Sequence, residues 1–216
     1  QQVTKAFRAR GHEAWSCDTE PQSGGHPEWH LQCDVRLALE EQWDMIIAFP
    51  PCTYLCASGM HWTTRGLRDP QLTLDATNFV KMLWNANCPK IAIENPVGAL
   101  SKALRKPDQI IQPWQFGEDA SKKTCLWLKG LPRLTPTRIV PPRGYFYAGR
   151  EWVEGYDYKK IEGFLFGTGK GFTGKPTWGN QTPSGQNRLG PSPERAKLRS
   201  TTYPGVAEAM AQQWGE

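Results

Sequence analysis

Short apolar runs separated by polar, Pro-rich and Gly-rich segments dominate the first half of the chain. The pattern predicts strands at 13–17, 29–33, 43–49 and 91–93, and helices at 3–10, 35–42 and 71–85. Because strands and helices alternate at this spacing, we expect parallel strands joined by right-handed crossovers. The first half therefore indicates an α/β fold of Rossmann-like type.

The pattern changes beyond Gly98, where Pro-rich turns replace the regular alternation. An apolar stretch follows at 124–128, and a region dominated by loops runs from about 132 to 197. A compact apolar helix is predicted at 205–214. We expect a catalytic core at 1–131, a small loop-rich lobe at 132–197 for target recognition, and a C-terminal segment at 198–216 whose helix returns to the core.

Two of the predicted strands end in residues that could carry chemistry. The apolar strand at 43–49 leads into Pro50-Pro51-Cys52, and the strand at 91–93 leads into Glu94-Asn95-Pro96. Proline fixes φ at about −65° and restricts the residue before it, so the two prolines hold the Cys52 backbone in one conformation. Since open α/β sheets bind ligands at the carboxyl ends of their strands, we expect the thiol and the carboxylate to meet there.

A thiol beside a carboxylic acid suits covalent addition to a pyrimidine ring. The thiolate attacks ring C6 while the acid hydrogen-bonds N3, and C5 becomes nucleophilic enough to take up a methyl group. Cys56 lies four residues from Cys52 but lacks the preceding prolines. We therefore interpret Cys52 as the nucleophile.

Composition adds weaker indications. The 216 residues carry a formal net charge of +5 with a pI of about 8.9, which mildly favours an acidic partner such as nucleic acid. The six cysteines form no CxxC pair, and no signal peptide or membrane span is visible, so we expect a cytoplasmic protein without a membrane partner. His26, His30 and Cys33 lack the fourth ligand of a structural zinc site, so we expect no metal.

At its predicted strand ends the chain resembles the DNA cytosine C5-methyltransferases, in particular the small members found in bacteriophage genomes. Pro50-Pro51-Cys52 matches the Pro-Pro-Cys motif of that family, and Ile93-Glu94-Asn95-Pro96-Val97 is similar to its Glu-Asn-Val motif with Pro96 inserted. Asp18 and Asp34 fall where the family holds the ribose and the adenine of S-adenosylmethionine. A helix at the carboxyl end, beginning near Pro204, resembles the family's last motif.

The resemblance implies a role for each of these residues. Cys52 would be the nucleophile, Glu94 would bind and protonate N3 of the cytosine, and Asn95 would orient the loop. Pro50 would belong to the cofactor site and Pro51 to the substrate site. The implied fold is that of an S-adenosylmethionine-dependent methyltransferase, and the implied partner is DNA whose target base is flipped out of the duplex. We expect a monomer.

Further site residues are predicted outside these motifs. Gln186-Asn187-Arg188 is the nearest counterpart of the Gln-x-Arg segment with which the family supports the flipped base, which assigns Gln186 to substrate binding and Arg188 to catalysis. Lys122 and Lys123 precede the apolar stretch at 124–128 and could contact phosphate. They could also serve a carboxylated analogue of S-adenosylmethionine, which would need a nearby cation.

Two features depart from the family pattern. The family opens with a strand and a Phe-x-Gly-x-Gly loop that grips the cofactor, whereas these residues begin in a helix, so we expect that strand and loop to be missing from this chain. The 132–197 stretch is short for a recognition region, although basic and aromatic residues interleave along it as on nucleic-acid surfaces. Its aromatic residues could equally form a small core of their own.

Two other functions stay open on the sequence. An enzyme acting on a free pyrimidine nucleotide could use the same addition to C6, since thymidylate synthase-like enzymes also place a cysteine after two prolines. A DNA-binding protein could have kept the fold without catalysis. The presence of both Cys52 and Glu94 favours an enzyme over the latter.

Overall fold

The computed structural model describes residues 1–146, 152–154, 175–182, 187–190, 192 and 195–216. The helices are α1 (Gln2–Arg8), α2 (Val35–Ala38), α3 (Ala57–Thr64), α4 (Pro70–Trp84), α5 (Leu100–Ala103), α6 (Arg195–Ser200) and α7 (Pro204–Trp214). The strands are β1 (Ser16–Asp18), β2 (His30–Gln32), β3 (Met45–Ala48), β4 (Lys90–Pro96), β5 (Gln109–Ile111), β6 (Thr124–Lys129), β7 (Gly144–Phe146), β8 (Trp152–Glu154) and β9 (Lys175–Thr177). This composition confirms the predicted α/β class.

The four strands predicted in the first half form two parallel pairs. β1 pairs with β2 in a two-stranded sheet, and β3 pairs with β4 at the edge of a four-stranded sheet of order β3-β4-β6-β5. In that second sheet β6 runs antiparallel to both β4 and β5. A sheet of mixed direction replaces the largely parallel sheet expected, because an antiparallel pair needs no helical crossover between its strands.

Several elements differ from the sequence prediction, and three of the differences have local reasons. β4 continues through Pro96 because β6 pairs with it as far as Thr124. α2 ends at Ala38, since the next polar residues, 40–42, are exposed and have no apolar surface to cover. α3 occupies a segment that we expected to be a loop, and its apolar residues do not gather on one face, so no helical pattern was visible.

The main core of the sheet region lies against α4. The Asp69 side chain caps this helix by accepting a hydrogen bond from the Gln71 N–H at 2.8 Å, and proline occupies its first turn. Val80 and Leu83 are buried in one cluster with apolar residues of β4 and β6. The cluster comprises Leu55, Val80, Leu83, Cys88, Ile91, Ile93, Leu100, Cys125 and Trp127. Because β4 is fixed by this packing, the residues at its carboxyl end are held in place too.

The chain divides into two units. The first contains residues 1–111, 123–135 and 207–216, and the second contains 112–122 and 136–206. The loop-rich lobe predicted at 132–197 falls largely within the second unit, which also includes 112–122.

Side-chain contacts explain why 112–122 belongs to the second unit. Asn180 exchanges two hydrogen bonds with the backbone of Ser121, at 2.9 and 3.0 Å. The rings of Trp114 and Trp178 stack with their centroids 5.2 Å apart. The strands of this unit form an antiparallel sheet of order β8-β7-β9. None of these contacts has a periodic signal in the sequence, so sequence reasoning missed them.

Candidate active site

Cys52 lies on an exposed turn directly after β3. Pro50 is buried, whereas Pro51 and Cys52 are exposed. The Cys52 carbonyl oxygen accepts hydrogen bonds from the N–H groups of Leu55 at 3.0 Å and Cys56 at 2.9 Å. The chain therefore turns sharply after Cys52, and the turn leaves this residue at the surface.

The neighbouring strand holds the segment that precedes Cys52. Ala48 and Ile93 are the last paired residues of β3 and β4. Beyond them, the Asn95 side chain donates a hydrogen bond from Nδ2 to the Pro50 carbonyl oxygen at 2.9 Å. Asn95 is only 1% exposed. The strand that carries Glu94 is thus joined directly to the segment that presents the thiol.

Two main-chain hydrogen bonds extend this attachment beyond Cys52. The Ala57 N–H donates to the Val97 carbonyl oxygen at 2.9 Å, and the Ala99 N–H donates to the Leu55 carbonyl oxygen at 2.8 Å. Between them, a Cβ placed on Gly98 would lie 1.8 Å from the Leu55 oxygen. Only glycine allows the two loops to approach this closely. Sequence reasoning overlooked Gly98, although its position just after the Glu94-Asn95-Pro96 motif was an available signal.

Glu94 and Asn95 face opposite sides of the sheet, because side chains alternate along a strand. Asn95 lies on the side of Ile91 and Ile93, which belong to the buried cluster, and Glu94 is half-buried on the other side. The Asn95 Oδ1 atom is buried and has no hydrogen-bond partner among the described residues.

The thiol on the strand beside Asn95 is unsuited to nucleophilic attack. Cys125 pairs with Asn95 across the β4–β6 ladder and is 1% exposed. Burial, together with the negative charge of Glu94, raises the pKa of the Cys125 thiol. Of the cysteines near this end of the sheet, Cys52 is the exposed one.

Arg68 is a basic residue near Cys52 that the sequence did not single out. Its Nη1 donates to the Thr53 carbonyl oxygen at 3.2 Å, and its guanidinium lies 5.0 Å from the centre of the Tyr54 ring. These contacts place a fixed positive charge beside the turn that follows Cys52.

The two predicted cofactor carboxylates lie at the carboxyl ends of the other parallel pair. Asp18 is the last residue of β1, and Asp34 follows β2 and caps α2. The Asp34 carboxylate accepts from the Arg36 N–H at 2.9 Å and from Arg36 Nη1 at 2.7 Å. Asp18 Oδ1 accepts from the Glu20 N–H at 3.1 Å. Both carboxylates therefore lie on adjacent strands, and each also stabilises a local turn.

Each of these carboxylates is directly preceded in the sequence by a cysteine. Cys17 Sγ is 3.8 Å from Cys33 Sγ, and both residues are partly buried. Burial, followed by the hydrogen bond to Cys33, raises the pKa of Cys17 to about 11. The Cys17 thiol is consequently protonated at neutral pH.

The remaining predicted site residues are distributed between the two units. Lys123 is exposed in the first unit, and Lys122 is in the second, where its N–H donates to Gln112 Oε1 at 2.9 Å. Arg188, also in the second unit, is exposed and donates from Nε to the Gln181 carbonyl oxygen at 2.7 Å. Gln186 lies outside the described residues.

Part of the basic and aromatic stretch at 132–197 can be placed. Trp178 is buried and donates from its indole N–H to the Val140 carbonyl oxygen at 3.1 Å. Arg143 pairs with Asp119, which also accepts from the Gly179 N–H at 2.7 Å. Trp178 therefore belongs to the interior of the second unit, and the exposed Arg143 forms an ion pair within the same unit. Most of the other basic and aromatic residues lie outside the described residues, namely Arg150, Lys159, Lys160, Lys170, Tyr147, Tyr156, Tyr158 and Phe172.

Neither a metal-binding cluster nor a membrane-spanning helix is present in the described ranges. No group of three or more His, Cys, Asp or Glu side chains in that part of the chain could hold a metal ion. His26 and His30 are instead engaged with Glu28 and with Ser16. No helix in the same ranges has both the length and the apolar character needed to cross a membrane.

Comparisons with known proteins add no relative. No protein-family model matches the chain, and neither a curated protein nor a solved structure matches it. The resemblance to cytosine methyltransferases therefore depends on the motifs themselves and on the geometry of the residues that carry them.

Proposed function

We propose that the protein is a DNA cytosine C5-methyltransferase in which Cys52 adds to C6 of a flipped cytosine. The observation that carries the proposal is the hydrogen bond from Asn95 Nδ2 to the Pro50 carbonyl oxygen. This bond joins β4, which carries Glu94, to the segment that presents Cys52. A base that contacts one of these two residues would therefore lie near the end of the strand that leads to the other. A packing cysteine would need neither this attachment nor its exposure.

The proposed chemistry divides between the two residues. The Cys52 thiolate forms a bond to C6, and the electron pair of the C5–C6 double bond moves onto the ring. Glu94 stabilises that charge by giving a proton to N3, which leaves C5 nucleophilic. After C5 has accepted the methyl group, a base removes the C5 proton, the C5–C6 double bond forms again and the bond between Cys52 and C6 breaks, while the proton on N3 returns to Glu94. This sequence restores the ring and the free thiolate.

The carboxylates at the β1–β2 end fit a nucleoside-bearing cofactor. Asp18 and Asp34 lie at the carboxyl ends of adjacent parallel strands, where oxygen acceptors suit ribose hydroxyl and adenine amino groups. We assign Asp18 to the ribose and Asp34 to the adenine of S-adenosylmethionine. The cofactor, when bound, supplies the electrophilic methyl group.

Covalent trapping tests the proposal. The 216-residue chain is incubated with S-adenosylmethionine and an oligonucleotide that carries 5-fluorocytosine, and the products are weighed by denaturing mass spectrometry. Fluorine at C5 cannot leave as the proton does, so Cys52 stays bonded to C6 and a protein–DNA adduct accumulates. The mass of the adduct also tells whether a methyl or a carboxymethyl group was transferred.

Cys56→Ala is the matched control, because Cys56 lies four residues away on the same turn. We expect Cys52→Ala to abolish the adduct and Cys56→Ala to keep it, with both variants folded by circular dichroism. An adduct that survives in Cys52→Ala contradicts the mechanism. A folded chain that forms an adduct with 5-fluorodeoxycytidine monophosphate but not with DNA points to a nucleotide substrate instead.

A further inference from the structure

A basic cleft lies at the opposite end of β1 and β2 from Asp18 and Asp34. Trp15 and Trp29 directly precede the two strands, whereas the carboxylates end them or follow them. The cleft has a volume of about 540 Å³ and is open to solvent. Its lining includes Lys5, Arg8, His12, His26 and Trp29. A cleft of this size is in the range that small-molecule sites occupy.

Arg8 is held rigidly at this cleft. Its guanidinium carbon lies 4.7 Å from the centre of the Trp29 ring and 5.4 Å from that of Trp15. Its Nε donates to the Ala14 carbonyl oxygen at 2.7 Å. The other contact of Trp29 is the His26 ring, which stacks on it at 3.7 Å. The guanidinium is therefore oriented by aromatic stacking before any ligand arrives.

The two Nη atoms form the edge of the Arg8 guanidinium that is open to a ligand. Among the described residues, no hydrogen bond is made by the Arg8 Nη atoms, although Nε is engaged. Lys5 adds a second cation one helical turn earlier on α1. The carboxylates nearby already have partners, because Glu28 pairs with His26 and Glu13 accepts from the Trp15 indole at 3.3 Å. Two cations thus line the cleft. Among the described residues no carboxylate hydrogen-bonds either of them, although the negative charge of Glu28 also acts on Arg8.

An arginine whose guanidinium is already oriented is suited to binding a phosphate group. Its planar fork binds phosphate through two parallel hydrogen bonds, and loss of side-chain freedom is smaller when the fork is already oriented. We infer that this cleft is a second binding site, which takes the phosphate group of a small organic phosphate of up to nucleotide size. A volume of about 540 Å³ matches a small molecule, whereas the DNA backbone would need a long, continuous surface. The inference does not depend on the proposed methyltransferase activity.

Isothermal titration of the full chain with three probes tests the site. The probes are inorganic phosphate, ribose 5-phosphate and ribose without phosphate. We expect the two phosphates to bind and ribose not to bind. Arg8→Gln should weaken ribose 5-phosphate about 10- to 100-fold, since charged hydrogen bonds are lost. Arg10→Gln is the matched control: it removes the same charge two residues away from an exposed side chain outside the cleft, and it should change the affinity less than twofold.

A second variant guards against misfolding of Arg8→Gln. Lys5→Gln leaves the tryptophan stack intact and should weaken ribose 5-phosphate severalfold on electrostatic grounds. The inference is overturned if neither phosphate binds the folded wild-type chain, or if Arg8→Gln and Lys5→Gln both bind ribose 5-phosphate as the wild type does. It is also overturned if only a single-stranded oligonucleotide binds in an Arg8-dependent way, because the site would then be a DNA contact. Cys52→Ala should bind ribose 5-phosphate normally whether or not the methyltransferase proposal holds.

Discussion

The two parallel strand pairs end in very different surroundings. At the β3–β4 end, the loop after Pro50 is attached to the loop after Asn95 by one side-chain and two main-chain hydrogen bonds, with Leu55 buried between them. At the β1–β2 end the strands are three residues long, and the carboxylates of Asp18 and Asp34 hydrogen-bond within their own turns.

The difference shows what a polar residue at a strand end can mean. At β3–β4, Cys52 is exposed, and structural bonds made by the backbone and by Asn95 hold its loop. At β1–β2 the carboxylates themselves stabilise the turns, so a ligand would have to share them with the protein. We expect mutations at the first end to affect activity, and mutations at the second to affect stability as well.

Glu94→Gln should give the largest effect. The amide keeps the shape of the carboxylic acid but cannot transfer a proton to N3, so we expect methyl transfer to slow by about 10²- to 10⁴-fold. The free energy of unfolding should change by less than about 0.5 kcal/mol, because the residue is only half-buried. Rates are measured with labelled S-adenosylmethionine, and stability by urea unfolding. Unchanged activity with a large loss of stability would make Glu94 a structural residue.

The second-largest effect should be a difference in thiol reactivity between Cys52, at the β3–β4 end, and Cys17, at the β1–β2 end. Burial and the hydrogen bond to Cys33 raise the pKa of the Cys17 thiol to about 11. Such a thiol is about 0.1% thiolate at pH 8. An ordinary thiol is roughly a hundred times more ionised at that pH, and the thiolate is the reactive form. We expect iodoacetamide at pH 8 to modify the exposed Cys52 well before Cys17. Peptide mapping over time checks the order, and faster labelling of Cys17 would contradict it.

Gly98→Ala tests the attachment of the Cys52 loop. The new Cβ would lie 1.8 Å from the Leu55 carbonyl oxygen, and since backbone must move to relieve the clash, we expect a loss of about 2–3 kcal/mol. Gly190→Ala is the control, because an added Cβ there meets nothing within 4 Å. Urea unfolding compares the two variants. Equal stability would mean that the loops are not held together as described.

Replacement of Asp34 should give the smallest effect. Asp34→Ala removes the N-cap of α2 and should cost about 1 kcal/mol, whereas Asp34→Asn keeps a capping oxygen and should cost only a few tenths. If Asp34 also binds the cofactor, the KM for S-adenosylmethionine will rise in Asp34→Ala by more than the stability change explains. A loss of stability with an unchanged KM would restrict Asp34 to capping.

Much of the first unit could be predicted from apolar periodicity. The β3 strand and α4 were located within two residues because a buried strand and a helix with one apolar face leave clear patterns. The positions of Cys52 and Glu94 beside adjacent strands followed from the same alternation. Neither α3 nor the antiparallel β6 could be assigned this way. α3 has no apolar stripe, and strand direction is set by the partner, not by the strand's own residues.

The second unit was less predictable for a related reason. Its described contacts join distant segments through single side chains, as when Asn180 bonds Ser121 and Trp178 stacks on Trp114. Such pairs have no fixed spacing along the chain. The basic and aromatic composition of 132–197 suggested a nucleic-acid surface, yet Trp178 is buried and Arg143 pairs with Asp119 of the same unit.

The sequence by itself determined the α/β class, the approximate positions of the four strands and of the helices α1, α2 and α4 in the first half, and the thiol and carboxylate that follow its apolar strands. These depend on local periodicity and on the rigidity of proline, which act over a few residues. Tertiary structure alone decided that Asn95 holds Pro50, that Gly98 lets the two loops meet, and that Arg8 lies between two tryptophans. Each of these requires residues far apart in the chain to come within hydrogen-bonding or van der Waals distance, and only the packed fold fixes which ones do.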